Sequence, residues 1–495
     1  MAPKIPESSI KSAFTRDVLT LVKGTTIALV ITTIASPIIT RLYGPEAFGL
    51  FALFSSITGV FGVIACLRYE AAIMLPKSDK DAANVLGLCL LVGVLVSLST
   101  IPALIVLQQP LTESLHVLHL RPFLWLIPPT LLITAIFLAM SSWNTRNAQF
   151  DTISTARIAT SFASTGTQLG AGVLGYASGG FLIGANIIGQ IVATFILGIH
   201  VIREHLSFFR RNITWSGIVA MLKKYSNFPK YDAGAEFINT LSWQIPIFLL
   251  AYFFSTTIVG YFSLGMTIVY YPMTLLGAAI AQVFFLKAAK AKHDGSLSVI
   301  VKDIFSLLIK ISLFPFLLLT FIGRDLFVLI FGSSWGEAGF YIQILSIWGI
   351  FLFTSSPISS ILSIEGKQKI ALVLSTINLV TRFLSICIGG FLGVPAIAIL
   401  LFSVSGIVVY GVNGVYFMHL AGVGYWKTIT LILKNFLVFL PAGIIMVFVK
   451  ILNLGGISEI IFATILLIIY FGYLIKTDMT IHEILRDHTF GKLLF

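Results

Sequence analysis

Six charged side chains sit inside, or at the ends of, stretches that are otherwise apolar: Arg68, Glu70, Glu236, Lys310, Arg382 and Lys434. An ionised group at mid-bilayer costs roughly 2.5–3.5 kcal/mol on insertion scales, and such groups usually face the protein interior or a water-filled cavity. Cations there can receive a charged substrate, and carboxylates can take up a proton or a sodium ion. Arg382 is the deepest, set between Leu379-Val380-Thr381 and Phe383-Leu384. It either lines a cavity or snorkels to the interface, and the same two readings hold for Lys310 and Lys434. Glu236 either serves an ion-coupled step, favours a helix N-terminus, or pairs with Lys230 or Arg68. Arg68-Tyr69-Glu70 is either a cavity wall or a cytoplasmic belt. Arg41 opens an external turn, where it caps a helix or meets a substrate. The candidate substrate-binding cations are therefore Arg382, Arg68, Arg41 and Lys310, and the candidate ion-coupling groups are Glu236 and Glu70.

No enzyme constellation accompanies these charges, and the chain is not expected to be an enzyme. The eight histidines fall in expected loops or at helix ends, and none pairs with a cysteine or carboxylate at metal-ligand spacing. No metal site is expected. Without a P-loop, ATP hydrolysis is not expected, and no cofactor is implied beyond an ion gradient or the membrane potential. Cys66, Cys89 and Cys387 lie in apolar runs and read as small buried hydrophobes. No acidic pair sits on a long external loop, which argues against a membrane-embedded polymerase or ligase.

Membrane helices must position these residues. The chain of 495 residues is 57% hydrophobic and 11% charged, whereas soluble domains are about 25% charged. Apolar runs of helix length without strict alternation point to transmembrane helices rather than barrel strands. Expected spans are 24–43, 47–67, 82–107, 123–143, 154–176, 180–202, 233–254, 258–286, 303–322, 340–362, 370–391, 394–418, 428–450 and 456–475. With both termini cytoplasmic, 24 of the 32 Lys and Arg fall on the cytoplasmic side and four outside (Arg41, Arg121, Arg324, Lys450). That asymmetry follows the positive-inside rule and supports an even number of spans. The net charge of +12 is thus orientation charge, and nucleic acid is not an expected partner. The other four cations are Arg68, Lys310, Arg382 and Lys434. Met1–Lys23 lacks the pattern of a cleaved leader, so the first span is expected to act as the targeting signal.

A weak repeat suggests two halves. Phe48-Gly-Leu-Phe-Ala-Leu53 matches Val259-Gly-Tyr-Phe-Ser-Leu264, each after a proline-bearing span. The organisation expected is a cytoplasmic segment (1–23), a six-helix bundle (24–202), a basic connecting loop (203–232) that reads as interfacial and amphipathic, a second bundle (233–418), a hairpin (419–475) and a tail (476–495). The fold class is all-α polytopic, with about 14 transmembrane helices in two pseudo-symmetric six-helix bundles plus a C-terminal pair. Parallel repeats of this kind mark transporters. Pro37, Pro246, Pro272 and Pro357 read as hinge or gating positions, or as static kinks. Gly166 and Gly170, and Gly180 and Gly184, have the spacing of close helix packing.

Three stretches carry a resemblance. The first is Arg41-Leu-Tyr-Gly-Pro-Glu-Ala-Phe-Gly-Leu-Phe51, continued by Arg68-Tyr-Glu-Ala-Ala-Ile-Met-Leu-Pro76 and Asp81-Ala-Ala83. The second is Val259-Gly-Tyr-Phe-Ser-Leu264 with Pro272 and Ala281-Gln-Val-Phe284. The third is Ile330-Phe-Gly332, Trp335, Tyr341, Ser356-Pro357 and Glu365-Gly-Lys-Gln368. Their order resembles the polysaccharide-repeat flippases (Wzx-like) of the multidrug/oligosaccharidyl-lipid/polysaccharide (MOP) exporter superfamily. The resemblance implies alternating-access transfer of an undecaprenyl-pyrophosphate-linked oligosaccharide from the cytoplasmic to the outer leaflet during cell-surface polysaccharide biosynthesis. It implies that Arg68 and Arg382 meet the pyrophosphate and sugar, and that the last two spans are candidates for a lipid-tail groove. It also implies membrane lipid and polymerase or chain-length machinery as partners, a monomer, and location in the cytoplasmic (inner) membrane. The same fold leaves open a MATE-like ion-coupled drug antiporter.

Overall fold

The computed structural model describes residues 7–477, His116 excepted, and is all-helical over them. Most of the expected tail 476–495 and the first residues of the N-terminal segment lie outside the described residues. In lipid, each backbone N–H and C=O needs a partner within its own segment, which is what makes each apolar run a helix.

By contacts the chain divides into two compact units, the first reaching Gln244 and the second beginning at Ile245. The first holds α1 (Glu7–Leu42), α2 (Pro45–Gly62), α3 (Tyr69–Ala72), α4 (Asp79–Ser114), α5 (Arg121–Leu124), α6 (Ile127–Arg146), α7 (Phe150–Val173), α8 (Gly179–Asn212) and α9 (Trp215–Lys224). The division falls within α10 (Ala233–Phe253). The second holds α11 (Thr256–Pro272), α12 (Ala278–Asp294), α13 (Leu297–Phe331), α14 (Gly336–Ser355), α15 (Ile361–Ile364), α16 (Gln368–Phe391), α17 (Pro395–Leu420), α18 (Tyr425–Ile451) and α19 (Gly456–Thr477).

Every expected span corresponds to a long helix, with α11 running through a π-helical turn (Met273–Gly277) into α12. Twelve helices among the described residues are long and apolar enough to cross a membrane. The two expected spans outside that set, α7 and α10, are the most polar. The first carries a run of Ser, Thr, Gln and Gly, and the second carries Glu236, Asn239, Ser242 and Gln244. Both units repeat one packing scheme. In the first, α4 packs on α6, α6 on α8 and α7 on α8; in the second, α13 packs on α14, α14 on α17 and α16 on α17. The C-terminal pair lies against α13, with Phe314 stacked 4.1 Å from Tyr470 and edge-on to Phe439.

Four local features differ from the sequence reading. The second span ends at Gly62 rather than 67; Val63–Arg68 is a turn, yet Ala65 and Cys66 are buried. Hydropathy cannot separate a buried apolar turn from a helix. The stretch 203–232 is almost wholly helical, because α8 runs to Asn212 before α9 begins, so His200 and His205 are helical. Pro357 follows the end of α14 and sits in a turn, whereas Pro37 and Pro246 lie inside their helices and Pro272 closes α11. A methyl group at Gly166, Gly170 or Gly184 would meet nothing within 4 Å. Gly180 does pack tightly, since a Cβ there would fall 2.3 Å from Phe123, and a Cβ at Gly339 would fall 2.6 Å from the backbone of Gly323 and Arg324, fixing α13 against α14.

Candidate functional site

The first unit carries an open cavity of about 570 Å³ among α2, α6, α8 and the start of α10. Its wall carries the ions Arg68, Glu70 and Glu236 and the neutral polar groups Ser55, Thr58, Thr130, Thr134, Asn186 and Gln190. Thr130/Thr134 on α6 and Asn186/Gln190 on α8 are each four residues apart, so each pair shares one helix face. Gln190 Nε2 donates to Thr134 Oγ1 at 2.7 Å, which ties those two faces together. Beside them, Ser56 Oγ donates to Gln244 Oε1 at 3.0 Å, joining α2 to the first half of α10.

The backbone presents Arg68 in an unusual way. Leu67 and Arg68 both have positive φ, 47° and 66°. Left-handed geometry at consecutive non-glycine residues costs about 1–3 kcal/mol each and concentrates at functional sites. The turn reverses the chain after α2 and starts α3, where Glu70 follows two residues later.

The guanidinium then meets an acidic ring. Arg68 Nε donates to Asp232 Oδ2 at 2.9 Å, and Nη1 donates to Glu70 Oε1 at 3.2 Å. Asp232 closes the π-helical turn Phe228–Asp232, and Glu236 lies one helical turn beyond it. Partial burial alone would lower the Arg68 pKa. The hydrogen bond to Asp232 and the charges of Glu70, Asp232 and Glu236 outweigh it and raise the value, so Arg68 remains a cation. Glu70 is 5% exposed, and its Oε2 is buried without a hydrogen-bond partner. Burial raises its pKa; Arg68 opposes and Asp232 reinforces that shift. Glu236 accepts from Asn239 Nδ2 at 3.4 Å. One cation thus faces three carboxylates, and the least solvated of them has a free oxygen.

The remaining predicted residues lie apart from this wall. Arg41 is exposed at the end of α1. Arg382, in the second unit, is 4% exposed; it neither snorkels nor reaches the surface. Its Nη2 donates to Tyr410 Oη at 2.9 Å, joining α16 to α17. Trp348 lies 6.3 Å from the Tyr410 ring and 6.4 Å from that of Tyr270, which is within electrostatic reach of Arg382. Lys310 stands on α13 where α19 packs, and its carbonyl accepts from Tyr470 Oη at 2.8 Å. The structure therefore brings together Arg68, Glu70 and Glu236 on this wall; Arg41 is not part of it, and Arg382 and Lys310 belong to the second unit. The sequence reading left Asp232 and the Thr130/Thr134 and Asn186/Gln190 pairs unassigned; polar pairs at i, i+4 within apolar spans were the available signal.

The fold defines a polytopic α-helical membrane protein, and its first unit has a cavity whose largely apolar wall carries a few charged and polar groups. The family described as "Polysaccharide biosynthesis protein" matches residues 38–339, about three-fifths of the chain. The chain belongs to that family. The match covers the first two motif stretches and the beginning of the third. Among solved structures, the chain is similar to the lipid II flippase MurJ in an inward closed conformation, with TM-score 0.67, 13% identity, and coverage of 91% of this chain and 98% of that one. It is also similar to an inward-facing multidrug resistance MATE family transporter of the MOP superfamily (TM-score 0.55, 14% identity, 83% and 96% covered). A third is a variant of the Vibrio cholerae MATE transporter VcmN (TM-score 0.53, 16% identity, 86% and 98% covered). The fold is thus the one these three solved proteins share. A curated relative, the teichuronic acid biosynthesis protein TuaB of Bacillus subtilis (strain 168), is 24% identical over 154 residues, 30% of this chain. That match spans 31% of the relative's length.

Proposed function

We propose that this protein is a flippase that carries a lipid-pyrophosphate-linked oligosaccharide from the cytoplasmic to the outer leaflet in cell-surface polysaccharide synthesis. The observation that carries the reading is the chamber wall where Arg68 is held by Glu70 and Asp232 beside Thr130, Thr134, Asn186 and Gln190. Family membership and the likeness to MurJ support it. A diphosphate and sugars cannot cross hydrocarbon unaided, because each buried polar group would lack a partner. Hydroxyl and amide groups at membrane depth supply partners for sugar hydroxyls, and a guanidinium supplies a forked donor for phosphate.

Arg68 is engaged by carboxylates, which suggests how substrate and ion are coupled. A proton or sodium ion taken up at Glu70 or Glu236 would weaken the acidic ring's hold on Arg68 and release its donors to a phosphate. Return of the ion to the cytoplasm before the loaded protein turns outward would let an inward gradient drive the cycle, and one charge moved across 100 mV is worth about 2.3 kcal/mol. Arg382, buried against Tyr410, is assigned to holding α16 on α17. Complementation of a strain lacking its flippase, with a defined glycan, tests the reading. Wild type restores surface polysaccharide, and Arg68→Ala and Glu70→Gln, expressed at equal level, do not. Full activity of both variants would refute the assignment.

A second reading has one observation in its favour: three carboxylates to one arginine suits a cationic solute, as in an ion-coupled drug antiporter. Efflux of a cationic dye by cells expressing the protein, with no restoration of polysaccharide, would select it.

A further inference from the structure

The end of α8 and the short helix α9 form a fixed basic shelf. Arg210 and Arg211 end α8, and Lys223 and Lys224 end α9; all four side chains are exposed. At 34 residues α8 is roughly 51 Å long, whereas the hydrocarbon core is about 30 Å thick, so its basic end projects past the apolar layer. The corner into α9 is pinned. Asn84, 2% exposed, donates from Nδ2 to the Asn212 carbonyl at 3.0 Å and accepts the Thr214 N–H at Oδ1 at 2.9 Å. Gly217 presses on the same amide, where a Cβ would fall 2.3 Å from Asn84 Oδ1. Ile213 and Ile218 pack over Gly87. Asn84 and Gly87 stand where the apolar run of α4 begins, so this corner holds α9 at the level where hydrocarbon gives way to headgroups.

The outer face of α9 suits that depth. Trp215 is 70% exposed and Leu222 43% exposed. Seven residues apart, they lie on one edge of the helix, next to Lys223 on its outer side. Positive charge needed only for topology would tolerate a loose loop. A clamped amphipathic helix with an outward tryptophan edge and cations beside it is the arrangement that seats on a lipid surface.

We infer that this shelf binds anionic phospholipid headgroups of the adjacent leaflet. Trp215 and Leu222 enter the headgroup–acyl boundary, and Arg210, Arg211, Lys223 and Lys224 take the lipid phosphates. The inference does not depend on what the chamber transports.

The test uses the full-length protein purified in detergent and titrated with phosphatidylglycerol or phosphatidylcholine, with bound lipid counted by native mass spectrometry. A Lys or Arg near an anionic surface contributes about fivefold. The variant Arg210→Gln/Arg211→Gln/Lys223→Gln/Lys224→Gln is expected to weaken the tightest phosphatidylglycerol step at least about tenfold, leaving phosphatidylcholine unchanged. A second arm stands alone if that variant folds poorly. In phosphatidylglycerol vesicles brominated high on the acyl chain, wild-type tryptophan emission is quenched more than that of Trp215→Phe. Unchanged phosphatidylglycerol affinity, or equal quenching in the two proteins, overturns the inference. So does equally tight binding of glycerol phosphate, which would make the shelf a free-phosphate site, or retention of an acidic protein with lipid affinity unaltered.

Discussion

Two arginines, Arg68 in the turn after α2 and Arg382 within α16, meet opposite surroundings. Arg68 leaves 31% of its side chain exposed on the wall of the cavity and is shared by two carboxylates. Arg382 is 4% exposed and hydrogen-bonded to a phenol within a cluster of aromatic rings. Both obey the rule that a charge set among apolar helices faces protein or water. The rule therefore does not by itself separate a residue placed to meet substrate from one placed to hold helices together. The difference lies in the partners: Arg68 meets the carboxylates of Glu70 and Asp232, whereas Arg382 donates to the neutral hydroxyl of Tyr410.

Removing Arg68 should have the largest effect. Arg68→Ala abolishes complementation, measured as surface polysaccharide at matched protein level. Arg68→Lys keeps the charge without the fork and retains a part of the activity. Full activity of Arg68→Ala would erase the distinction between the two sites.

Next comes Arg382. Arg382→Met is expected to lower thermal stability, because Tyr410 loses its donor and the buried space is refilled imperfectly, while transport per folded molecule stays near wild type. Tyr410→Phe leaves a buried guanidinium N–H unmatched and costs about 1–3 kcal/mol. Loss of transport in Arg382→Met with its melting temperature unchanged would place Arg382 with substrate and break the comparison.

Glu70 sharpens the comparison through pH. Its folded pKa is raised, chiefly by burial, so the folded protein holds this proton more tightly than the unfolded chain does. The stabilisation is complete below the ordinary carboxylate range and is lost as pH rises through the raised folded value. Glu70→Gln, which mimics the protonated form, should flatten that part of a melting-temperature profile taken from about pH 4 to pH 8, and should abolish gradient-driven flipping in vesicles. A wild-type slope that survives in the variant assigns the proton elsewhere, with Glu236→Gln the next test.

The smallest effect is expected at the neutral wall. Gln190→Leu removes the bond to Thr134 Oγ1 and costs about 0.5–1.5 kcal/mol. If sugars use this face, apparent affinity for the lipid-linked oligosaccharide falls while the maximal rate changes little.

Much of the architecture was legible in the residues. Each of the fourteen apolar runs became a long helix, and α7 and α10, which fall outside the twelve most apolar, still fold as helices. The Arg68–Glu70–Glu236 grouping was legible as an open alternative, since Arg68 was one of two partners considered for Glu236. The buried turn at Val63–Arg68, the role of Asp232 and the clamp at Asn84 were not legible. Each depends on segments far apart in the chain: Asp232 is 164 residues from Arg68, and Asn212 is 128 from Asn84.

By itself, the sequence determined that the chain is a series of membrane-length helices, their approximate ends and the few charges set within or at the ends of those apolar runs. These follow from local quantities, namely transfer of side chains into lipid and backbone bonding within one segment. Only the tertiary structure decided which of those charges share a chamber and which are packed away. The rotation of a helix about its own axis is set by the neighbours it packs against, and a polar side chain acquires its partner, its exposure and its proton affinity only when that rotation is fixed.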